Sequence, residues 1–212
     1  KDDALNITVN GDEASVVNLK LIDAQTALKV KVDAAKVTAA TFAEFESIYV
    51  TGKAGFSNLG DENITIDAAA ADMNSAKANI IANATSKVAA ATITGETAAL
   101  VATNLKNANA KDAFDITVVN GPVGTSTSAK DLLTLDGKTS ITVDATAITA
   151  ISGSVAEVNK LLGADVTVGA GVDYNLSGTV KAADASTIAS KTLGVVTATI
   201  AADTAANLDA NL

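Results

Sequence analysis

The sequence predicts an α/β fold wound as a repeat solenoid: coils of one strand plus one short helix, with a parallel sheet along one wall. Three observations lead there. The 212 residues repeat themselves internally, short apolar-Thr-apolar strands recur at similar spacing, and large side chains are too few to fill a conventional core. Ala supplies 44 residues and Thr 26, while aromatics make up 3% and the one proline is Pro122. Small side chains let backbones approach closely but bring little apolar area each, so stability must come from many similar contacts repeated along an axis. An apolar content of 48% and a positive mean hydropathy set the chain apart from disordered sequences.

The repeat is read by self-comparison. Val88 to Leu105 aligns without gaps to Val195 to Leu212, an offset of 107, and half of the positions are identical. Ala4 to Gly11 matches Ala113 to Gly121 with one extra Val, and Asp33 with its neighbours matches Asp144. The order of matches is preserved, which predicts two tandem units, 1–112 and 113–212. The counterpart of Leu105 is Leu212, so the second unit reads as truncated at its C-terminal end. The initial Lys1 and the uncapped helical pattern from Asn207 to Leu212 carry the same expectation, a slice of a longer or processed polypeptide.

In chain order the predicted strand cores are Ile7 to Val9, Val30 to Val32, Ile48 to Val50, Ile64 to Ile66, Ala91 to Ile93, Ile116 to Val118, Ile141 to Val143, Val166 to Val168 and Ala198 to Ile200. Each alternates as a half-buried pleat does. Between them lie stretches with helical spacing: Ala14 to Leu21, Ala70 to Ala82, Thr97 to Lys106, Asp131 to Leu135, Ser154 to Leu162 and Ala182 to Leu193. Val155, Val158, Leu161 and Leu162, for example, share one helix face. Asp136-Gly137 reads as a turn whose Gly tolerates positive φ, linking the Asp131 helix to the Ile141 strand. Many strand cores lie 23 to 25 residues apart, close to the smallest coil that provides the crossover a parallel pair requires. The spacing is irregular between Val30 and Ile93, which keeps a pair of small tandem α/β domains as the alternative.

Composition removes whole classes of chemistry. The chain has no Cys, His, Trp or Arg, hence no disulfide, no His-based or Cys-based nucleophile system, no His/Cys metal site and no guanidinium clamp. A net charge of −9 with scattered Lys argues against a nucleic-acid partner. No apolar run is long enough for a membrane span, and no signal-peptide pattern opens the chain.

The remaining candidates are weak. Asn10, Asp33, Asp67, Asn120 and Asp144 follow strand cores and would stack as a ladder; calcium is a conceivable ligand there, but turn and helix capping fit better because no calcium-loop motif accompanies them. Gly121-Pro-Val-Gly-Thr-Ser-Thr-Ser128, Ser152-Gly-Ser154 and Asp136-Gly-Lys-Thr139 each lack part of a phosphate-binding loop. Glu44 with Glu46 and Asp61 with Glu62 form carboxylate pairs without the aromatic platforms of a glycosidase, and read as a solvated face. Asn6, Asn63, Asn83 and Asn175 open Asn-x-Ser/Thr triplets, which matter only in a glycosylating pathway. No catalytic, cofactor-binding or metal residue is assigned.

The segments Ala129 to Ile148, Ile151 to Val158 and Gly194 to Asp203 resemble repeats of very large Ala/Thr/Asp-rich surface or secreted proteins of marine picocyanobacteria, with related repeats in phage structural proteins. The first unit shares this more faintly, with Asp23-Ala-Gln-Thr26 in place of Asp136-Gly-Lys-Thr139. The resemblance implies an extracellular or cell-surface location and a structural or adhesive role without catalysis, and transfers no site residues. The expected function is therefore a segment of an extracellular filament, surface layer or adhesin that associates with like subunits or adjoining repeats. A phage fibre or appendage in the virion is the first alternative, and a ligand-binding module with a site between the two units the second.

Overall fold

The computed structural model describes residues 3–67 and 73–211. Among them the chain forms fourteen strands and eight α-helices. The first stretch runs β1 (Thr8–Gly11), β2 (Ala14–Ser15), α1 (Val16–Asp23), β3 (Val30–Ala34), β4 (Lys36–Ala39), α2 (Phe42–Tyr49), a 3-10 turn at Lys53–Gly55, β5 (Phe56–Ser57), β6 (Asn63–Ile66), α3 (Ser75–Ala84), β7 (Ala89–Thr97) and α4 (Ala98–Asn104). It continues with β8 (Ala113–Val119), β9 (Thr127–Ser128), α5 (Ala129–Asp136), β10 (Val143–Ala145), β11 (Ala150–Gly153), α6 (Val155–Leu161), β12 (Val166–Val168), β13 (Asp173–Val180), α7 (Ala182–Ala189), β14 (Val196–Ile200) and α8 (Ala205–Asn211). Two compact units emerge. The first comprises Lys1–Thr94, Asn104–Asp115 and Lys138–Ser140; the second comprises Gly95–Thr103, Ile116–Gly137 and Ile141–Leu212.

The fold is α/β, and each strand pairing with a defined register is parallel. In the first unit β1, β3 and β5 lie side by side, and β2, β4, β6 and β7 form a second row. The start of β8, Ala113–Asp115, also belongs to the first unit, and in the second unit the rows are the rest of β8 with β10 and β12, and β9, β11, β13 and β14. Facing residues are separated by one short stretch of chain: Thr8 opposes Lys31, Ala14 opposes Val37, Ile64 opposes Ala89, Val143 opposes Val166 and Ala150 opposes Asp173. The extremes are Thr179 with Thr199 and Lys36 with Asn63, so partners always lie 20 to 27 residues apart.

Alternation supplies the sheet cores. Val30, Val32 and Ala34 of β3 are buried and Lys31 and Asp33 exposed; Phe114, Ile116 and Val118 of β8 are fully buried. Helices α1 to α7 each add buried apolar residues, such as Val158 and Leu161 of α6 or Ala182, Ala185 and Ile188 of α7. Seven of the eight helices start on a side-chain cap accepting the N–H three residues on: Ser15 from Asn18, Thr41 from Glu44, Asn74 from Lys77, Thr97 from Leu100, Ser128 from Asp131, Ser154 from Glu157 and Thr204 from Asn207. Only Lys181, before α7, provides no such bond. The caps follow the internal repeat: Thr97 and Thr204 are aligned residues of the Val88 and Val195 segments.

The structure corrects several sequence expectations. Ile48-Tyr-Val50 is no strand. Ile48 and Tyr49 end α2, where Phe42, Phe45, Ile48 and Tyr49 are buried on one face; Thr41 caps the helix, and helical spacing outweighs the local β preference of the triplet. Six helices follow two strands instead of one, because β2, β4, β5, β9, β11 and β13 fall outside the predicted cores. The strand expected from Ile141 begins at Val143. Gly137 has a φ of −75° and caps α5 in ordinary right-handed geometry, so the linker there does not use glycine's positive-φ freedom. Of the predicted Ala70 to Ala82 helix, α3 covers Ser75 onward, and the part before residue 73 lies outside the described residues. No helix among the described residues is long and apolar enough to cross a membrane.

Candidate functional site

The Asp and Asn residues after strands do not form one ladder. Asn10 and Asp33 face each other in register, but Asp144 faces Thr117 and Thr167, not Asn120, and Asp67 follows β6 in the other row. The engaged side chains brace loops. Asp33 accepts from Lys31 Nζ at 2.7 Å and Asn58 Nδ2 at 2.8 Å, and these two bonds, the lysine first, hold its carboxyl below the usual range. Asp144 accepts the hydroxyl and the N–H of Thr146, which likewise lower its pKa. Asn120 takes the N–H of Thr149 and donates to the carbonyl of Ala147. Asn10 and Asp67 are exposed. Among the described residues, no three acidic side chains converge in a way that would hold a metal ion.

The glycine-rich candidates are also placed. Thr125 closes the loop after β8 by donating its N–H and hydroxyl to the carbonyl of Pro122, with Gly124 at a φ of +82°. Ser154 sits in a capping box with Glu157, whose carboxyl is lowered by the Ser154 N–H first and its hydroxyl second. Thr139, the last residue of Asp136-Gly-Lys-Thr139, is buried and donates to the carbonyl of Phe114 at 2.6 Å, so it is turned into the fold and away from any ligand. Glu44 accepts the N–H of Ala40, and Glu46 is half-buried in α2. Among the sequon residues, Asn63 and Asn175 are committed to Val88 N–H and Ser126 Oγ, whereas Asn6 and Asn83 are exposed.

Thr139 belongs to a set that sequence reading missed. Thr26, Thr85, Thr139 and Thr192 each stand four residues before the first residue of a strand, at β3, β7, β10 and β14. Each hydroxyl donates to a backbone carbonyl 20 to 25 residues earlier: Leu5 at 2.8 Å, Glu62 at 2.5 Å, Phe114 at 2.6 Å and Val172 at 2.6 Å. Three also accept an N–H two residues on, from Leu28, Lys87 and Gly194. The signal was present in the sequence as a Thr at a fixed distance before four aligned strands, but Thr is so common here that position alone did not single it out. Other bonds span a similar 22 to 25 residues, including Asp61 with Ser86, Asn63 with Val88, Asp165 with Thr142 and Asp173 with Val195.

Asp61 and Glu62, read as a solvated pair, separate in the structure. Asp61 is exposed, but Glu62 is buried beneath Tyr49. Its carboxylate accepts from the Tyr49 hydroxyl and from the N–H groups of Gly60 and Asp61, so the donors are all provided by the protein itself. Burial pushes the Tyr49 phenol well above its ordinary range, with the Glu62 charge and hydrogen bond adding to the shift. Its ring stacks on Phe45, with centroids 4.8 Å apart, and Phe42 next in line carries the Lys77 ammonium over its face.

What these geometries define is a set of devices joining each stretch of chain to the one about 25 residues away, together with helix caps and turns. Compared with protein-family models, curated proteins and solved structures, the chain finds no match.

Proposed function

We propose that the protein is a non-catalytic structural module, a parallel β/α solenoid that serves as a segment of an extracellular filament, surface layer or adhesin. The observation that carries this reading is the uniform reach of its contacts: parallel partners 20 to 27 residues apart, reinforced by hydroxyl bridges at Thr26, Thr85, Thr139 and Thr192. A chain whose contacts lie mainly with adjacent coils extends by adding coils, and a material of that kind needs no cleft. The acidic balance keeps neighbouring assemblies apart in solution.

Negative-stain images of the purified chain at rising concentration test this. Straight, thin assemblies that lengthen with concentration are expected, and antibody labelling of intact source cells should place the protein at their surface. Single particles at every concentration, with a small molecule bound in one-to-one ratio, would instead indicate a ligand-binding protein.

A further inference from the structure

β14 is an edge strand, bonded to β13 on one side. Its alternate residues Val196, Ala198 and Ile200 are only half-buried, and with Ala185, Ser186 and Ala189 they line an open groove of about 230 Å³. Val195 beside it is 65% exposed, and α8 buries none of its residues. The aligned sequence 107 positions earlier has the opposite character. Ala89, Ala91 and Ile93 of β7 are buried, as are Ala98 and Val101 of α4.

On the far side of β7, within the first unit, lies the start of β8, Ala113–Asp115. The Ala89 N–H also donates to Asp112 Oδ1, just before β8 begins. The β8 sequence Ala113-Phe-Asp-Ile-Thr-Val118 is the one that recurs as Ala4-Leu-Asn-Ile-Thr-Val9. Burial is reversed here too. Phe114, Ile116 and Val118 are fully buried, whereas Leu5 is 50% exposed, Ile7 and Val9 are half-buried, and β1 is the edge of its own sheet. Each of two strands that are neighbours within the chain thus has a sequence counterpart at an open edge, with its apolar side chains only partly covered. Edges of this kind present unpaired N–H and C=O groups as well.

We infer that the β14 edge and its groove receive the Ala4–Gly11 segment, which ends in β1, of a second copy of this chain, as β7 receives the start of β8. The two faces differ, so the contact is head-to-tail and propagates instead of closing as a two-fold dimer. This inference rests on the filament reading and names the surfaces that would build it.

Sedimentation of the full 212-residue chain over a concentration series tests it, with Ile200→Lys on the β14 face and Leu5→Lys in the segment leading into β1. Each variant alone should associate about 30-fold more weakly than the parent. An equimolar mixture should give a discrete dimer and nothing longer, because each variant keeps one intact face. Val195→Lys, at an exposed position, replaces Ile200→Lys if circular dichroism shows that variant unfolded. Assembly that these substitutions leave unchanged overturns this interface while sparing the filament reading. A parent chain that stays monomeric throughout overturns both. A mixture that fails to dimerise while the parent assembles overturns the head-to-tail arrangement.

Discussion

The hydroxyl of Tyr49 donates to the buried carboxylate of Glu62, 13 residues further on, and the Gly60 and Asp61 amides complete that carboxylate's donors. Tyr49→Phe keeps the stacking on Phe45 but removes the donor. A hydrogen bond to a charged, buried acceptor contributes about 1.5–3 kcal/mol, so the variant should lose about that much stability at neutral pH, read by urea unfolding. An unchanged midpoint would show that the carboxylate does not depend on the phenol.

The same pair makes a pH prediction. Burial first, and the Glu62 charge and hydrogen bond next, raise the folded-state pKa of Tyr49 above its ordinary 10.0. The stabilising contribution is then fully present below pH 10 and declines as pH rises above it, since the unfolded chain ionises where the folded one does not. Unfolding free energies measured across this range should fall more steeply for the parent than for Tyr49→Phe, with the lysines common to both. Parallel curves would contradict the shift.

The Thr139 hydroxyl donates to the Phe114 carbonyl, 25 residues earlier in the chain. Thr139→Val keeps the shape but removes the hydroxyl's bond to that carbonyl, at a cost of about 1–3 kcal/mol, whereas Thr139→Ser should recover most of it. Thr26, also fully buried, should behave alike. Equal losses for Val and Ser would assign the effect to packing instead of the hydroxyl.

Helix caps predict changes of opposite sign. Ser154→Ala should cost about 1 kcal/mol. Lys181, with backbone angles of −69° and 143° suited to a cap but no side-chain bond, should gain about 0.5–1 kcal/mol on replacement by Asn, the residue that caps α3. Thermal denaturation of the two variants measures both. A destabilised Lys181→Asn would mean the lysine is held by something other than its helix.

Asp33 and Asp144 are occupied by Lys31, Asn58 and Thr146. Adding calcium, then removing it with a chelator, should therefore leave the melting temperature where it is. A reversible rise with calcium would restore the metal ladder as a stabilising feature.

The strands legible in the sequence were those with a clean apolar alternation, such as Val30 to Val32 and Ile116 to Val118. Strands as short as Ala14–Ser15, Phe56–Ser57 and Thr127–Ser128 carry no period to detect and exist because a neighbouring strand provides their partners. The Ile48 triplet misled because its β-branched and aromatic residues serve equally well on a helix face once Thr41 caps α2. Glu62 was invisible as a buried residue because its burial depends on Tyr49, which the strand reading had placed elsewhere. The bridging threonines are visible only after the strand starts are known.

Excising one strand-to-strand stretch is the most direct test of the proposed solenoid winding. Val143 and Val166 occupy the same register position in adjacent strands, so deleting residues 143–165 lets Val166 follow Thr142 and take the place of Val143. A solenoid should close over the gap. Circular dichroism of the shortened chain should keep the per-residue signal of the parent and melt cooperatively. A shortened chain that is unfolded under native conditions would mean that the missing strands belonged to an indivisible core, and the coil account would be wrong.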